Sequence, residues 1–176
     1  MSNHPVKPHS KTTRPTPPEM LRGAAGSFVG IALVALADQL VLGDRDLLFM
    51  IGAFGASAVL LYGAPYSPLA QPYNVVVGHV VSAVVGVGVF QIFGDANWIS
   101  VALAVSLAIA MMQLTRSTHP PGGATALIAV ASSQQIHDLG FMYVLYPVAT
   151  GALILVGVAF ISNNLMSSRR WPLYWV

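Results

Sequence analysis

The sequence predicts an all-α fold, a polytopic membrane helical bundle, and three observations carry that reading. Of 176 residues 55% are hydrophobic and only 8% carry a formal charge, against roughly 25% in an average soluble domain. The charges avoid the middle of the chain: none falls between Asp46 and Asp95, between Asp95 and Arg116, or between Asp138 and Arg169. Six apolar segments run along the chain, several long enough to cross a bilayer. So few charged side chains cannot cover a water-soluble surface, which excludes a soluble globular enzyme and a nucleic-acid binder. There is no cysteine, which excludes disulfides, thiolate metal sites and thiol catalysis. No cofactor is expected.

Met1 to Arg22 is rich in Pro, Ser, Thr and Lys with no apolar run, so it reads as a disordered cytoplasmic tail. The membrane domain is expected over residues 23–163, followed by a second cytoplasmic tail, 164–176. Segment one is Gly23 to Leu42. Segment two, Leu47 to Tyr62, closes at Gly63-Ala64-Pro65. Segments three and four are Asn74 to Phe93 and Trp98 to Thr115. Segment five, Gly122 to Gln134, follows a Pro-Pro-Gly-Gly break, and segment six is Phe141 to Ser162. A crossing needs about 20 residues. Segments one, three, four and six qualify, two is marginal and five is too short. A short segment after such a break resembles a half-helix entering from a buried loop. Four or six crossings are both open, and both place the two termini on one side.

Segments two and five resemble each other. Gly55-Ala56-Ser57-Ala58-Val59-Leu60 aligns with Gly123-Ala124-Thr125-Ala126-Leu127-Ile128 at an offset of 68 residues. The same offset lays segment one over four and three roughly over six. The chain thus reads as a 3+3 inverted repeat, and paired short segments in two halves point to a transporter's central site. With the termini in the cytoplasm, Lys7, Lys11, Arg14, Arg22, Arg116, Arg169 and Arg170 lie inside and only Arg45 outside, as the positive-inside rule asks. Trp98 is expected at the outer interface, and Trp171, Tyr174 and Trp175 at the inner one. Asp38, inside segment one near its outer end, is expected to pair with Arg45 at the interface, the alternative being that it lines an aqueous path.

The stretch Arg116-Ser117-Thr118-His119-Pro120-Pro121-Gly122-Gly123-Ala124-Thr125 carries the most chemistry. Prolines suit the first helical positions because they lack the N–H that would be orphaned there. Gly122 and Gly123 allow close approach of a ligand or a backbone. A helix start directs N–H groups and a positive dipole end at an anion. Arg116 adds charge, Thr118 a hydroxyl, and His119 a group that titrates near neutral pH. Pro65, Pro68 and Pro72 forbid a regular helix in the second unusual stretch. There Gln71 and Asn74 offer amide donors to an anion. His79 lies about one turn into segment three, where an ionisable group is costly and a site candidate by default. Ser57 and Thr125 complete the expected substrate-binding set. Two histidines without a nearby carboxylate are weak evidence for a metal, and none is expected.

These stretches resemble the signature of the HPP family of integral membrane proteins, named after the triplet seen here as His119-Pro120-Pro121. Gly63-Ala64-Pro65-Tyr66-Ser67-Pro68-Leu69-Ala70-Gln71-Pro72-Tyr73-Asn74, then Gly78-His79 and Ser82, agrees with it. The resemblance runs from about Arg22 to Asn163. It implies four membrane helices and, from plastid members, transport of nitrite or a similar small anion. The expectation is therefore a transporter or channel for a small inorganic anion, with nitrite the leading candidate and protons a second partner. The alternatives are a non-transporting scaffold or sensor and, third, an intramembrane enzyme. The last lacks a Gly-x-Ser-x-Gly elbow, so no enzymatic activity is expected. A homo-oligomer in a bacterial inner membrane completes the expectation.

Overall fold

The computed structural model describes residues 14–42, 47–165, 167 and 170–176. Met1 to Thr13, Arg45 and Arg169 lie outside the described residues, and with them most of the expected tail and the Asp38–Arg45 pair. The described chain is about 80% helix, with no strand. Its helices are α1 (Pro17–Leu42), α2 (Leu47–Ala58), α3 (Pro72–Phe93), α4 (Trp98–Leu114), α5 (Pro120–Ala131), a short α6 (Gln134–Leu139) and α7 (Thr150–Asn164). A π-helical turn, Val59–Gly63, prolongs α2, and a kinked segment, Val144–Ala149, leads into α7. Three spans are long and apolar enough to cross a membrane, with mean hydropathies of 1.8, 2.1 and 2.3.

The helix α1 starts at Pro17, inside the stretch expected to be disordered. The reason is local. The Thr16 N–H and hydroxyl both donate to the Glu19 carboxylate at 2.8 Å, and the prolines at positions 17 and 18 occupy the first turn, where no N–H is needed. Glu19 thus supplies the half of a capping box that reaches back to the Thr16 N–H, while the Thr16 hydroxyl donates to the same carboxylate. Segment six also departs from expectation. It is broken at Tyr146, whose backbone is extended (φ −134°, ψ 127°), because Pro147 disfavours the helical region for its predecessor.

Consecutive spans alternate in direction. At one end the Tyr73 hydroxyl donates to Thr115 O (3.0 Å), Asn74 Nδ2 to Thr118 O (3.1 Å) and Arg22 to Leu165 O (3.4 Å). The starts of α1, α3 and α5 therefore meet the ends of the 59–63 turn, α4 and α7 there. At the other end the Tyr146 hydroxyl donates to Ala37 O at 2.6 Å, and His137 stacks on Phe90 with ring centroids 3.5 Å apart. The described arginines, at 14, 22, 116 and 170, sit at the first, basic end; Asp95 and Asp138 sit at the second.

Packing follows membrane rules. Large apolar side chains such as Phe28, Leu40, Ile92 and Ile161 face outward, whereas Ser57, Asn74, His79, Ser82 and Thr125 are buried. The helix α3 packs on α4 and α5, α1 packs on α7 and α2, and α5 packs on α2. Small residues bring backbones together. A methyl group on Gly86 would stand 2.6 Å from Ala126 O, and one on Gly78 2.7 Å from Ser117 O. The segment after α7 is not a free tail carrying aromatic anchors. Trp171 is 1% exposed, held because its N–H donates to Asn164 Oδ1 (3.0 Å) and its carbonyl accepts from Asn164 Nδ2 (2.7 Å). Trp175 and Trp98 are exposed as expected.

Candidate functional site

Four of the expected residues converge. Ser57 comes from the last turn of α2, His79 from two turns into α3, His119 from the N-cap of α5, and Thr125 from the second turn of α5. Pro72 to His79 spans about 10 Å along the helix, so the cluster lies well below the basic end. Ser57, His79 and His119 have no exposed surface and Thr125 is 1% exposed. Ser57 Oγ is 2.7 Å from His79 Nε2 and 2.9 Å from His119 Nε2. His79 Nδ1 is 2.7 Å from Thr125 Oγ1, and His119 Nδ1 is 2.8 Å from Leu69 O. Ser57 Oγ also lies 3.2 Å from Ala53 O, one turn back in α2. The imidazole centroids are 4.9 Å apart, and Phe54 packs at 5.2 Å on His79.

The local sequence explains the placement. The three prolines between 65 and 72 leave a non-helical roof with one 3-10 turn, Pro68–Ala70, and Leu69 turns its carbonyl to His119. Gly78 and Gly122 let α3 and α5 touch: a methyl group on Gly122 would lie 3.0 Å from Gly78 O and 2.8 Å from Ser82 Oγ. Ser82 Oγ is buried and has no hydrogen-bond partner among the described residues.

The other expected residues serve differently. Gln71 Nε2 donates to Pro65 O (3.0 Å) and Ser67 O (2.7 Å), and its Oε1 accepts from Leu173 N–H (2.8 Å). The Asn74 amide is bound to Thr118 O. Both amides therefore hold the roof and the loop before α5 in place. The first turn of α5 is poorer in donors than its dipole suggests: Pro120 and Pro121 have no N–H, and the Gly122 N–H bonds His119 O at 2.8 Å. Gly123 faces Val105 of α4 across 3.8 Å to a would-be methyl. Arg116 is exposed, outside the cluster, in a left-handed conformation (φ 55°).

Beside the roof, at the basic end, a groove of about 1070 Å³ is lined by Arg14, Arg22, Ser27, Tyr62, Tyr66 and Asn163, among others. Sequence reasoning counted its two arginines for topology and missed that they line one groove. It also missed Tyr143, whose buried hydroxyl donates to Thr125 O at 3.1 Å, and the Leu69 and Ala53 carbonyls, which no side-chain pattern reveals.

Residues 12–172 match the family described as HPP, transmembrane region. The chain belongs to the HPP family. Two Dictyostelium discoideum relatives, each named only as a transmembrane protein, are 49% and 47% identical to this HPP protein over 152 residues. The matches cover 85% of this chain in both cases, and 49% and 53% of the relatives. The chain thus spans about half the length of the curated relatives it matches. Both come from a eukaryote, so the bacterial membrane expected from the sequence draws no support from them. No solved structure matches the chain.

Proposed function

We propose that this HPP protein is a membrane transporter for a small inorganic anion, with nitrite the first candidate because family resemblance implies it. One observation carries the reading: four polar side chains from three helices converge, fully buried, at membrane depth. Polar groups there are expensive and mark substrate or ion pathways by default. A scaffold or sensor needs no such convergence. The site is uncharged when its histidines are neutral, which suits a substrate that must be released. Ser82 supports the same reading. A buried hydroxyl without a partner costs about 1–3 kcal/mol, and this one sits beside Gly122 and Gly78, where a small anion would take it as donor. Arg14 and Arg22 would gather anions at the mouth, since clustered charge raises the local concentration of counter-ions.

A repeated architecture favours a carrier. Ser57 and Thr125, 68 residues apart, take opposite nitrogens of His79. Under the offset, α1 corresponds to α4, α2 to α5 and α3 to α7. Accordingly α1 packs on α7 as α4 packs on α3, and α1 packs on α2 as α4 packs on α5. We read this as a 3+3 inverted repeat around His79, with the cluster closed to both faces in this conformation. The positive-inside rule puts the basic end, and so the groove and both described termini, in the cytoplasm.

The test is uptake by proteoliposomes holding the purified protein, with nitrite, nitrate, formate and chloride. The expected result is saturable flux of nitrite above the others, lost in Ser57→Ala and freed of its pH dependence in His119→Ala. No flux of any anion by folded protein overturns the proposal.

A further inference from the structure

The hydrogen bonds around Ser57 can be assigned by elimination, because one end of the chain is fixed. Leu69 O only accepts, so His119 Nδ1 must carry a hydrogen. In neutral His119 the other nitrogen, Nε2, is then a lone pair and needs a donor. The only polar atom bonded to it among the described residues is Ser57 Oγ, so the Ser57 hydrogen points there. Ser57 Oγ must then accept from His79, whose Nε2 carries the hydrogen. His79 Nδ1 becomes the acceptor and takes the hydrogen of Thr125. Every donor runs in one direction: Thr125 to His79 to Ser57 to His119 to Leu69 O. The two histidines are opposite tautomers.

The same heavy atoms satisfy a second state. With one proton added to His119 Nε2, both imidazoles donate to Ser57 Oγ, which has two lone pairs. The Ser57 hydrogen is released and has a partner waiting, Ala53 O at 3.2 Å. Nothing is left unpaired. A second proton has no such place. It would sit on His79 Nδ1, already receiving the Thr125 hydrogen, and would set two like charges 4.9 Å apart. Like charges that close disfavour double ionisation. The groups facing the pair offer no relief. From α2 they are Ser57 and Phe54, from α3 Ser82, from α5 Thr125, from the roof the Leu69 carbonyl, and from the segment before α7 Tyr143. Asp38, the one buried carboxylate among the described residues, accepts from Tyr146 (3.3 Å), and its charge reaches Tyr143 but neither imidazole.

We infer that His79, Ser57 and His119 form a binding site for a single proton, with the Ser57 hydroxyl switching from His119 to Ala53 O as the proton arrives. The site is a property of the cluster itself. Its part in transport rests on the anion reading above: the protonated cluster is cationic, so it takes one proton with one monovalent anion.

The measurement is nitrogen NMR on protein carrying labelled histidine in lipid, titrated from alkaline pH down to the loss of the fold, with His79→Gln and His119→Gln for assignment. Above the transition His119 should show hydrogen on Nδ1 and His79 hydrogen on Nε2. Across it the pair should take up one proton, not two. Ser57→Thr, which copies the residue at the matching position 125, should keep this behaviour, and Ser57→Ala should lose it. Like tautomers at alkaline pH, uptake of two protons, no uptake before unfolding, or an unchanged titration in Ser57→Ala each overturn the inference. Should Ser57→Ala not fold, the wild-type tautomers and stoichiometry decide alone. Single-proton uptake in a protein with no anion flux would remove the transport reading and leave the proton site standing.

Discussion

Ser57 Oγ stands 2.7 Å from His79 Nε2, and this one contact ties α2 to α3 at the point where α5 also arrives. It makes the cluster a joint as well as a site. Three helices share one hydroxyl, so a change at any member is expected to lower stability as well as the proposed transport.

Thr125→Val tests that coupling with almost no change of shape. It removes the hydrogen donated to His79 Nδ1 and leaves a buried lone pair unsatisfied. The expected cost is about 1–3 kcal/mol, read as a lower unfolding midpoint in detergent. Thr125→Ser keeps the hydroxyl and should recover most of the loss. Equal midpoints for Val and wild type would show that the bond carries no weight.

The glycines of α3 should divide sharply. A methyl group at Gly86 meets Ala126 O at 2.6 Å and Ala129 Cβ at 2.7 Å, while at Gly88 it meets nothing within 4 Å. Overpacking typically costs about 1–3 kcal/mol, whereas an unobstructed Gly to Ala change in a helix gains up to about 1 kcal/mol. Gly86→Ala should lower the midpoint and Gly88→Ala leave or raise it; the reverse order would refute the close α3–α5 crossing.

Orientation is directly measurable because the chain has no cysteine. Single cysteines at Thr16 and Ala64 should label from one side of a sealed vesicle, and those at Asp95 and Asp138 from the other. Four crossings with α2 re-entrant would instead set Ala64 opposite Thr16.

The mouth should act through charge. Arg14→Gln with Arg22→Gln is expected to raise KM for nitrite several-fold at low ionic strength with little change in kcat. At molar salt, where the screening length falls to about 3 Å, the difference should vanish. A defect independent of salt would assign the arginines to packing.

A proton taken with the anion fixes the sign of the pH effect. Protonation creates the cationic site, so lowering pH on the side of entry should speed nitrite uptake. An inward proton gradient should drive accumulation. His119→Ala should remove that dependence, and pH-dependent uptake persisting in this variant would deny His119 the proton.

How much of this was legible beforehand depends on how far apart the partners lie. The break at His119-Pro120-Pro121 set the start of α5 correctly, since prolines act locally. Ser57 and Thr125 were readable as matching positions of two short segments. Their meeting on one imidazole was not, because it joins residues 22 and 46 apart along the chain. Gln71 and Asn74 show the same limit from the other side. An amide in a proline-rich loop suits a ligand or a carbonyl equally; the Asn74 donor was claimed by Thr118 O, which no local pattern brings near, and the Gln71 donor by Pro65 O and Ser67 O of its own loop. The early start of α1 is different: Thr16 and Glu19 carried the signal, and the surrounding prolines masked it.

The strap after α7 has an optical consequence. Trp171 is 1% exposed, while Trp98 and Trp175 are 81% and 59% exposed. Two residues on, Leu173 holds Gln71, and Tyr174 donates to Pro68 O at 3.0 Å, so the strap and the roof over His119 are fastened together. Lifting the roof would draw the Trp171 indole out of an apolar setting and into water, shifting its emission to longer wavelength. The molecule thus carries its own fluorophore at the latch, and opening at the basic end can be followed by light from the unlabelled chain.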